Sequence, residues 1–235
     1  MIDQSSISNI YCGTVIHHAQ IAKHIYHIKI QSMNLSKLKY VAGLTTEIYL
    51  SNPFSNTKTL LRKFSVWNFE PVFNTIDFAI NTYYNGESAT WIKSVQLGDK
   101  VFFKEPKGEL LLDDTATEYL LIGNITSLSY FYELNRAISI SKNVYSLIFT
   151  NNTNQIFPDI DHSFPLNSYL LDSKSPDDII KLLELHLPKL EDKAVVYVVG
   201  DSKEISLINK FLKNFFNHSI LKIHSKSFWD NDEVG

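Results

Sequence analysis

Two unbroken apolar runs, residues 119–123 and 194–199, constrain the fold of this chain most tightly. Neither alternates apolar with polar residues. A strand of that kind is covered on both faces, as strands of a parallel sheet are. Strand-like and helix-like segments alternate around them. Thr126 can cap a helix running to about residue 139. Residues 144–150 read as a strand, 151–161 as a polar loop and 169–171 as a short strand. Pro176-Asp177-Asp178 opens a second helix, because Pro suits a first turn and acids suit the positive helix end. Ile179, Ile180, Leu182, Leu183 and Leu185 supply its apolar side. A third helix spans about 202–216 with Ile205, Leu207, Ile208 and Leu212 inward, and 221–224 is a last strand. This alternation implies a parallel sheet with helices on both faces.

The first half has another pattern. Residues 12–30 are β-rich, and strand-like runs recur at 47–50, 60–69, 75–83 and 100–104. Gly, Asn and Pro separate them, as in an antiparallel barrel. A helix-like run opens at Gly86 and reaches Ser94. The pattern changes near 112–117. The expected fold class is therefore two-domain, β followed by α/β: an antiparallel β-barrel over 1–114 and a parallel-sheet α/β domain over 115–235.

A length of 235 residues allows this, and 44% hydrophobic residues with 13% aromatics suffice for packed cores. The net charge of −3 gives no basic footprint for nucleic acid. One cysteine, Cys12, excludes an internal disulfide framework or a Cys-only metal cluster. Met1-Ile2-Asp3-Gln4-Ser5 lacks a basic region followed by an apolar core, and no window approaches the ~18 apolar residues of a membrane span. A soluble cytoplasmic protein without membrane insertion is expected. His17 and His18 are adjacent and point to opposite strand faces. His24 and His27 also differ in face, with no carboxylate cluster beside them, so they read as surface or half-buried histidines. No metal ligand set is assigned.

One stretch carries chemistry. In Leu61-Arg62-Lys63-Phe64-Ser65-Val66-Trp67, Arg62, Phe64 and Val66 share one strand face, and Lys63 and Ser65 the other. A guanidinium suits a phosphate. An aromatic or aliphatic surface suits a flat ring, and a hydroxyl or backbone N–H can reach the ring's polar edge. A dinucleotide such as FAD needs these features close together. An ordinary barrel strand with a surface Arg and a core Phe has the same pattern.

The residues beyond Trp67 extend this pattern. Asp77-Phe78-Ala79-Ile80 is a strand; then come Gly86-Glu87-Ser88-Ala89-Thr90-Trp91, Leu97-Gly98-Asp99-Lys100-Val101 and Glu105-Pro106-Lys107-Gly108. This order resembles the siderophore-interacting protein family, FAD-dependent ferric-siderophore reductases of the ferredoxin-reductase-like group. That family shows R-x-Y-[TS]-[VIL], D-F-x-[VIL], G-x-[AS]-x-x-W, G-D and G-P-x-G. Here Phe64 stands in place of Tyr. Residues 121–128, 196–201 and Ser227-Phe228-Trp229 are similar to the family's later elements.

The resemblance implies the rest. Arg62 would bind the FAD phosphate, and Phe64 would lie along the flavin or ribityl chain. Ser65 and Val66 would meet the isoalloxazine edge through side chain or backbone. Gly86, Ser88, Ala89, Thr90 and Trp91 would cradle the pyrophosphate. A nicotinamide-nucleotide site would span the turns at 123–127 and 200–202, with Thr126 retained, while Asn124 and Ile125 replace the family's acidic pair. Trp229 would cover the flavin or simply pack the last strand. Lys222 and Lys226 would receive an anionic ferric siderophore. The electron donor would be NAD(P)H or a reduced ferredoxin, and no catalytic acid–base residue is required. The alternatives are an NAD(P)H:flavin or ferredoxin-type reductase, or a non-catalytic flavin- or siderophore-binding module.

Overall fold

The structure is a computed structural model that describes residues 10–55, 58–83, 85–108, 110–173, 175–190, 193–216 and 222–229. The chain divides into two compact units, Met1–Leu111 and Leu112–Gly235.

The first unit is an antiparallel sheet of eight strands among the described residues, with one α-helix. In chain order these are β1 (Ile10–Ala22), β2 (Ile25–Gln31), β3 (Leu44–Tyr49), β4 (Leu61–Ser65), β5 (Asn68–Glu70), β6 (Thr75–Asn81), α1 (Glu87–Ser94), β7 (Lys100–Lys104) and β8 (Lys107–Gly108). The strand order is β4-β3-β7-β1-β2-β6-β5, with β8 added to β3. Ile28, Ile30, Ile48, Ile76, Phe78 and Phe103 form the centre of its core.

The expected strand at 60–69 is two strands, β4 and β5. Between them Val66 N–H donates to Leu44 O at 3.0 Å and Trp67 N–H donates to Asp77 O at 2.8 Å. Leu44 belongs to β3 and Asp77 to β6, near opposite ends of the strand order. The chain thus crosses at Val66-Trp67 and closes the sheet into a barrel. Both side chains are buried there, which explains why the apolar run continued through the break.

His27 is buried rather than half-buried, and one carboxylate, Asp77, lies beside it. Asp77 Oδ1 lies 2.6 Å from His27 Nε2 and 3.5 Å from Lys29 Nζ, and Asn68 Nδ2 donates to Asp77 Oδ2 at 3.2 Å. Asp77 is fully buried. These groups meet across β2, β5 and β6, where Lys29 pairs with Asp77 in register, so adjacency in sequence could not reveal them. Such partners make a buried charge tolerable.

The second unit contains β9 (Glu118–Asn124), α2 (Leu128–Ala137), β10 (Asn143–Thr150), β11 (Ser168–Leu170), α3 (Pro176–His186), β12 (Ala194–Asp201), α4 (Ser202–Phe215) and β13 (Lys222–Trp229). Its five strands among the described residues are all parallel, in the order β11-β10-β9-β12-β13. Every residue of β9 and β12 is buried, as the two apolar runs require. Ser175 caps α3, its Oγ accepting from Asp178 N–H at 3.2 Å.

Three expectations change. The helix placed from Thr126 begins at Leu128, after a 3₁₀ turn at Ile125–Ser127 whose N-cap is Asn124. Leu185 is exposed, because the buried face of α3 runs through Ile179, Leu182 and Leu183 and leaves position 185 outside it. The last strand continues to Trp229, because β13 pairs with β12 along its whole length. The second-unit segment after β10 covers α2: Tyr132 Oη donates to Phe157 O at 2.8 Å, Asn135 Nδ2 to Phe164 O at 2.9 Å, and Arg136 pairs with Asp159. That cover buries α2 from Leu128 to Asn135, including Glu133.

Candidate functional site

The pleat of β4 sends Arg62 and Phe64 the same way, toward α1. Arg62 Nη2 donates to Glu87 Oε2 at 2.9 Å, and Nη1 donates to Leu61 O at 3.0 Å. Phe64 is half-buried and stacks on Trp91, with ring centroids 6.2 Å apart and planes 27° apart. Its other neighbour is Phe78, edge-on at 6.5 Å. Ser65 is half-buried and sits in register with Thr45 of β3. Val66 is fully buried in the core, with its N–H bonded to Leu44 O. Its side chain therefore meets the barrel interior and cannot reach a surface ligand.

Helix α1 starts at Gly86, which makes no side-chain cap hydrogen bond. A Cβ added at Gly86 would meet nothing within 4 Å, so the helix end is open. Ala89 and Ile92 face the core and fix the helix on the sheet. Ser88 is half-buried, and Thr90 is exposed with its hydroxyl donating to Gly86 O at 3.3 Å. A cavity of about 360 Å³ adjoins the helix, lined by Leu50, Ser51, Lys58, Thr59, Leu60, Glu87, Thr90, Trp91 and Ser94. Helix N-terminal amides without a side-chain cap favour an anion. A guanidinium and a stacked aromatic pair beside them suit a phosphorylated ring compound. The residues present fit FAD on these grounds.

The structure thus brings Arg62, Phe64, Gly86, Ser88, Thr90 and Trp91 to one place. Sequence reading missed Glu87 and the segment before β4 that completes the cavity. An acid in a first helical turn ordinarily reads as macrodipole stabilisation, so nothing in the pattern marked Glu87 as a partner of Arg62.

In the second unit, the carboxyl ends of β9 and β12 flank the point where the strand order reverses. Open parallel sheets bind ligands at that crevice. Asn124 Nδ2 donates to Glu204 Oε2 at 2.6 Å, bridging the two turns. Asn124 Oδ1 accepts from Thr126 N–H at 3.0 Å and also from the Thr126 hydroxyl. Ser127 Oγ donates to Asn124 O at 2.6 Å, and Asp201 Oδ1 accepts from Lys203 N–H at 2.9 Å. The crevice mouth is held by the chain's own polar groups, and the Thr126 hydroxyl is committed to Asn124.

The lysines of β13 separate. Lys226 pairs in register with Val199, close to the carboxyl end of β12. Lys222 pairs with Val195 at the opposite end and makes an ion pair with Asp113. It therefore lies at the amino end of the sheet, away from the crevice. The strand runs from Lys222 toward Trp229, and one element cannot hold both lysines at one end. The side chains of Phe228 and Trp229 lie outside the described part of the structure, and so does the expected role of Trp229.

Lys222, followed by Thr115, holds the Asp113 carboxyl well below the usual carboxylate range. A depressed folded pKa contributes stability that is present above the unfolded value of ~3.9 and is lost as pH falls toward the folded value. Lys222→Met is expected to cost up to about 1 kcal/mol at pH 7, the range for exposed pairs. The deficit should start to shrink below about pH 4, where Asp113 begins to protonate in the unfolded chain. Urea unfolding of both proteins across that range checks it, and a constant deficit would assign the cost to packing.

Residues 13–111 match the model of a family described as the oxidoreductase FAD-binding domain. The chain superposes on a siderophore-interacting protein from Acinetobacter baumannii with a TM-score of 0.75 at 16% identity, covering 94% of this chain and 91% of that one. The chain has the ferredoxin-reductase-like fold. The siderophore-interacting protein SipS from Aeromonas hydrophila shares this fold at a TM-score of 0.74 and 16% identity, over 95% of this chain and 99% of its own. Phthalate dioxygenase reductase, described as a modular structure for electron transfer from pyridine nucleotides to [2Fe-2S], gives 0.74 and 16%, over 95% of this chain and 70% of its own. No curated protein sequence matches the chain. In this chain the barrel seam at Val66-Trp67 follows the strand that places Arg62 and Phe64 beside α1. Among the described residues, no helix is long and apolar enough to cross a membrane.

Proposed function

We propose that this chain is a flavoprotein that reduces a ferric siderophore, with FAD seated on the first unit. The observation that carries the reading is the Arg62–Phe64–Trp91 wall beside the uncapped N-terminus of α1, within the span that matches an FAD-binding domain. Arg62 takes a phosphate oxygen, and the first-turn amides of 87–89, which have no partner within the helix, take the pyrophosphate with Ser88 and Thr90 at hand. Phe64 lies against the ring or ribityl chain, backed by Trp91. Ser65 and the Val66 backbone meet the polar edge, while Ala89 holds the helix close to the sheet. FAD supplies the conversion of a two-electron supply into single-electron transfers. Ferric iron of the substrate gains one electron and becomes ferrous, which hard oxygen ligands hold far less firmly. Lys226, opposite Val199 on the crevice side of β13, is the better candidate for receiving an anionic chelate, because Lys222 lies at the other end of the strand.

The electron donor is NAD(P)H or a reduced ferredoxin. The Asn124–Glu204 bridge favours the protein donor, since a nucleotide entering that crevice must open it.

The FAD-loaded protein, photoreduced without oxygen and mixed with a ferric siderophore, tests the activity. Reoxidation of the flavin with ferrous iron appearing in a ferrous-specific trap is expected. Reoxidation by an oxidised [2Fe-2S] protein, with no response to any ferric chelate, would assign the ferredoxin-type reductase activity instead. Reduction by NADH, NADPH and reduced ferredoxin, followed in the same apparatus, identifies the donor.

A further inference from the structure

Arg62 already has an anion. Its Nη2 donates to Glu87 Oε2 at 2.9 Å, and the two side chains are 42% and 53% exposed. Glu87 is also the first residue of α1, following an N-cap glycine that brings no side-chain acceptor. One carboxylate therefore answers both features that would draw a phosphate: the guanidinium and the positive helix end. Glu87 lines the adjoining cavity as well.

We infer that Glu87 is the residue that sets the affinity of the flavin site. It is a resident carboxylate that a flavin phosphate displaces from Arg62 and then meets as a like charge. This rests on the reading of 62–66 and 86–91 as an FAD seat and names what limits its strength. An exposed ion pair is weak, so displacement is feasible. The displaced carboxylate stays tethered to the first turn of α1, within reach of the phosphate it has yielded to, where like charges disfavour each other.

Glu87→Gln removes the charge and keeps the shape. Titration of the apoprotein with FAD, followed by quenching of flavin fluorescence, reads the affinity at low and high salt. The variant is expected to bind FAD about two- to fivefold more tightly at low salt, the scale of one exposed charge contact. Salt should narrow the gap, because it screens the repulsion. Glu87→Ala should behave similarly, and Glu87→Asp should stay near the wild-type value. Thermal melting of each apoprotein reports on folding separately. Wild-type protein that binds FAD, with Glu87→Gln equal or weaker, would overturn the inference and leave the flavin site standing. In that event the carboxylate positions Arg62. If neither the wild type nor any folded Glu87 variant binds FAD, the flavin reading fails and the inference with it.

Discussion

Arg62→Ala is expected to weaken FAD binding by about 1.5–3 kcal/mol, the range for a hydrogen bond to a charged group. The loss should fall toward the lower end, because in the wild type the phosphate must first displace Glu87 from Arg62, a cost that the substitution removes. Arg62→Lys should recover part of it, since a point charge replaces a two-pronged donor. Calorimetric titration of the three apoproteins with FAD gives the differences directly. Equal affinities would assign Arg62 to the barrel surface as a partner of Glu87 only. The side chain is partly exposed and outside the core, so the fold should tolerate the change, and matching melting curves confirm that the affinity is being read.

Gly123→Ala is expected to destabilise the second unit by about 1–3 kcal/mol, the usual cost of overpacking. A Cβ at Gly123 would lie far inside van der Waals contact of Val199 O and Ser127 Oγ, and 3.0 Å from Phe131 Cε2. Val199 belongs to β12, which pairs with β9 at this position. The oxygen is backbone and cannot move without disturbing the ladder. Relief would require the turn at Asn124 to shift, and with it the Asn124–Glu204 bridge. Gly86→Ala is the control, because a Cβ there meets nothing within 4 Å. Denaturant unfolding should separate the two variants clearly. Equal stabilities would mean that the β9 turn is more yielding than its packing implies.

The parallel sheet was legible because β9 and β12 are apolar at nearly every position, a pattern that only burial on both faces explains. The barrel was legible strand by strand, but its closure was not. Val66 and Trp67 are apolar like the strands around them, and only their hydrogen bonds to β3 and β6 reveal the crossing. Arg62 and Phe64 could be placed on one face because a strand repeats every two residues. Glu87 and Asp77 could not be assigned, because their partners lie 25 and 50 residues away in the chain. The split between Lys222 and Lys226 was hidden for a related reason. The strand was placed at 221–224, and its continuation to Trp229 decides which end of the sheet each lysine occupies.

The central claim is that the first unit holds a flavin at Arg62, Phe64 and the start of α1. The absorption spectrum of the purified protein, before and after incubation with FAD and removal of the excess, tests it most directly. Flavin bands that remain with the protein, and that diminish in Arg62→Ala at the same protein concentration, are the expected result. A colourless protein that retains no added FAD would contradict it.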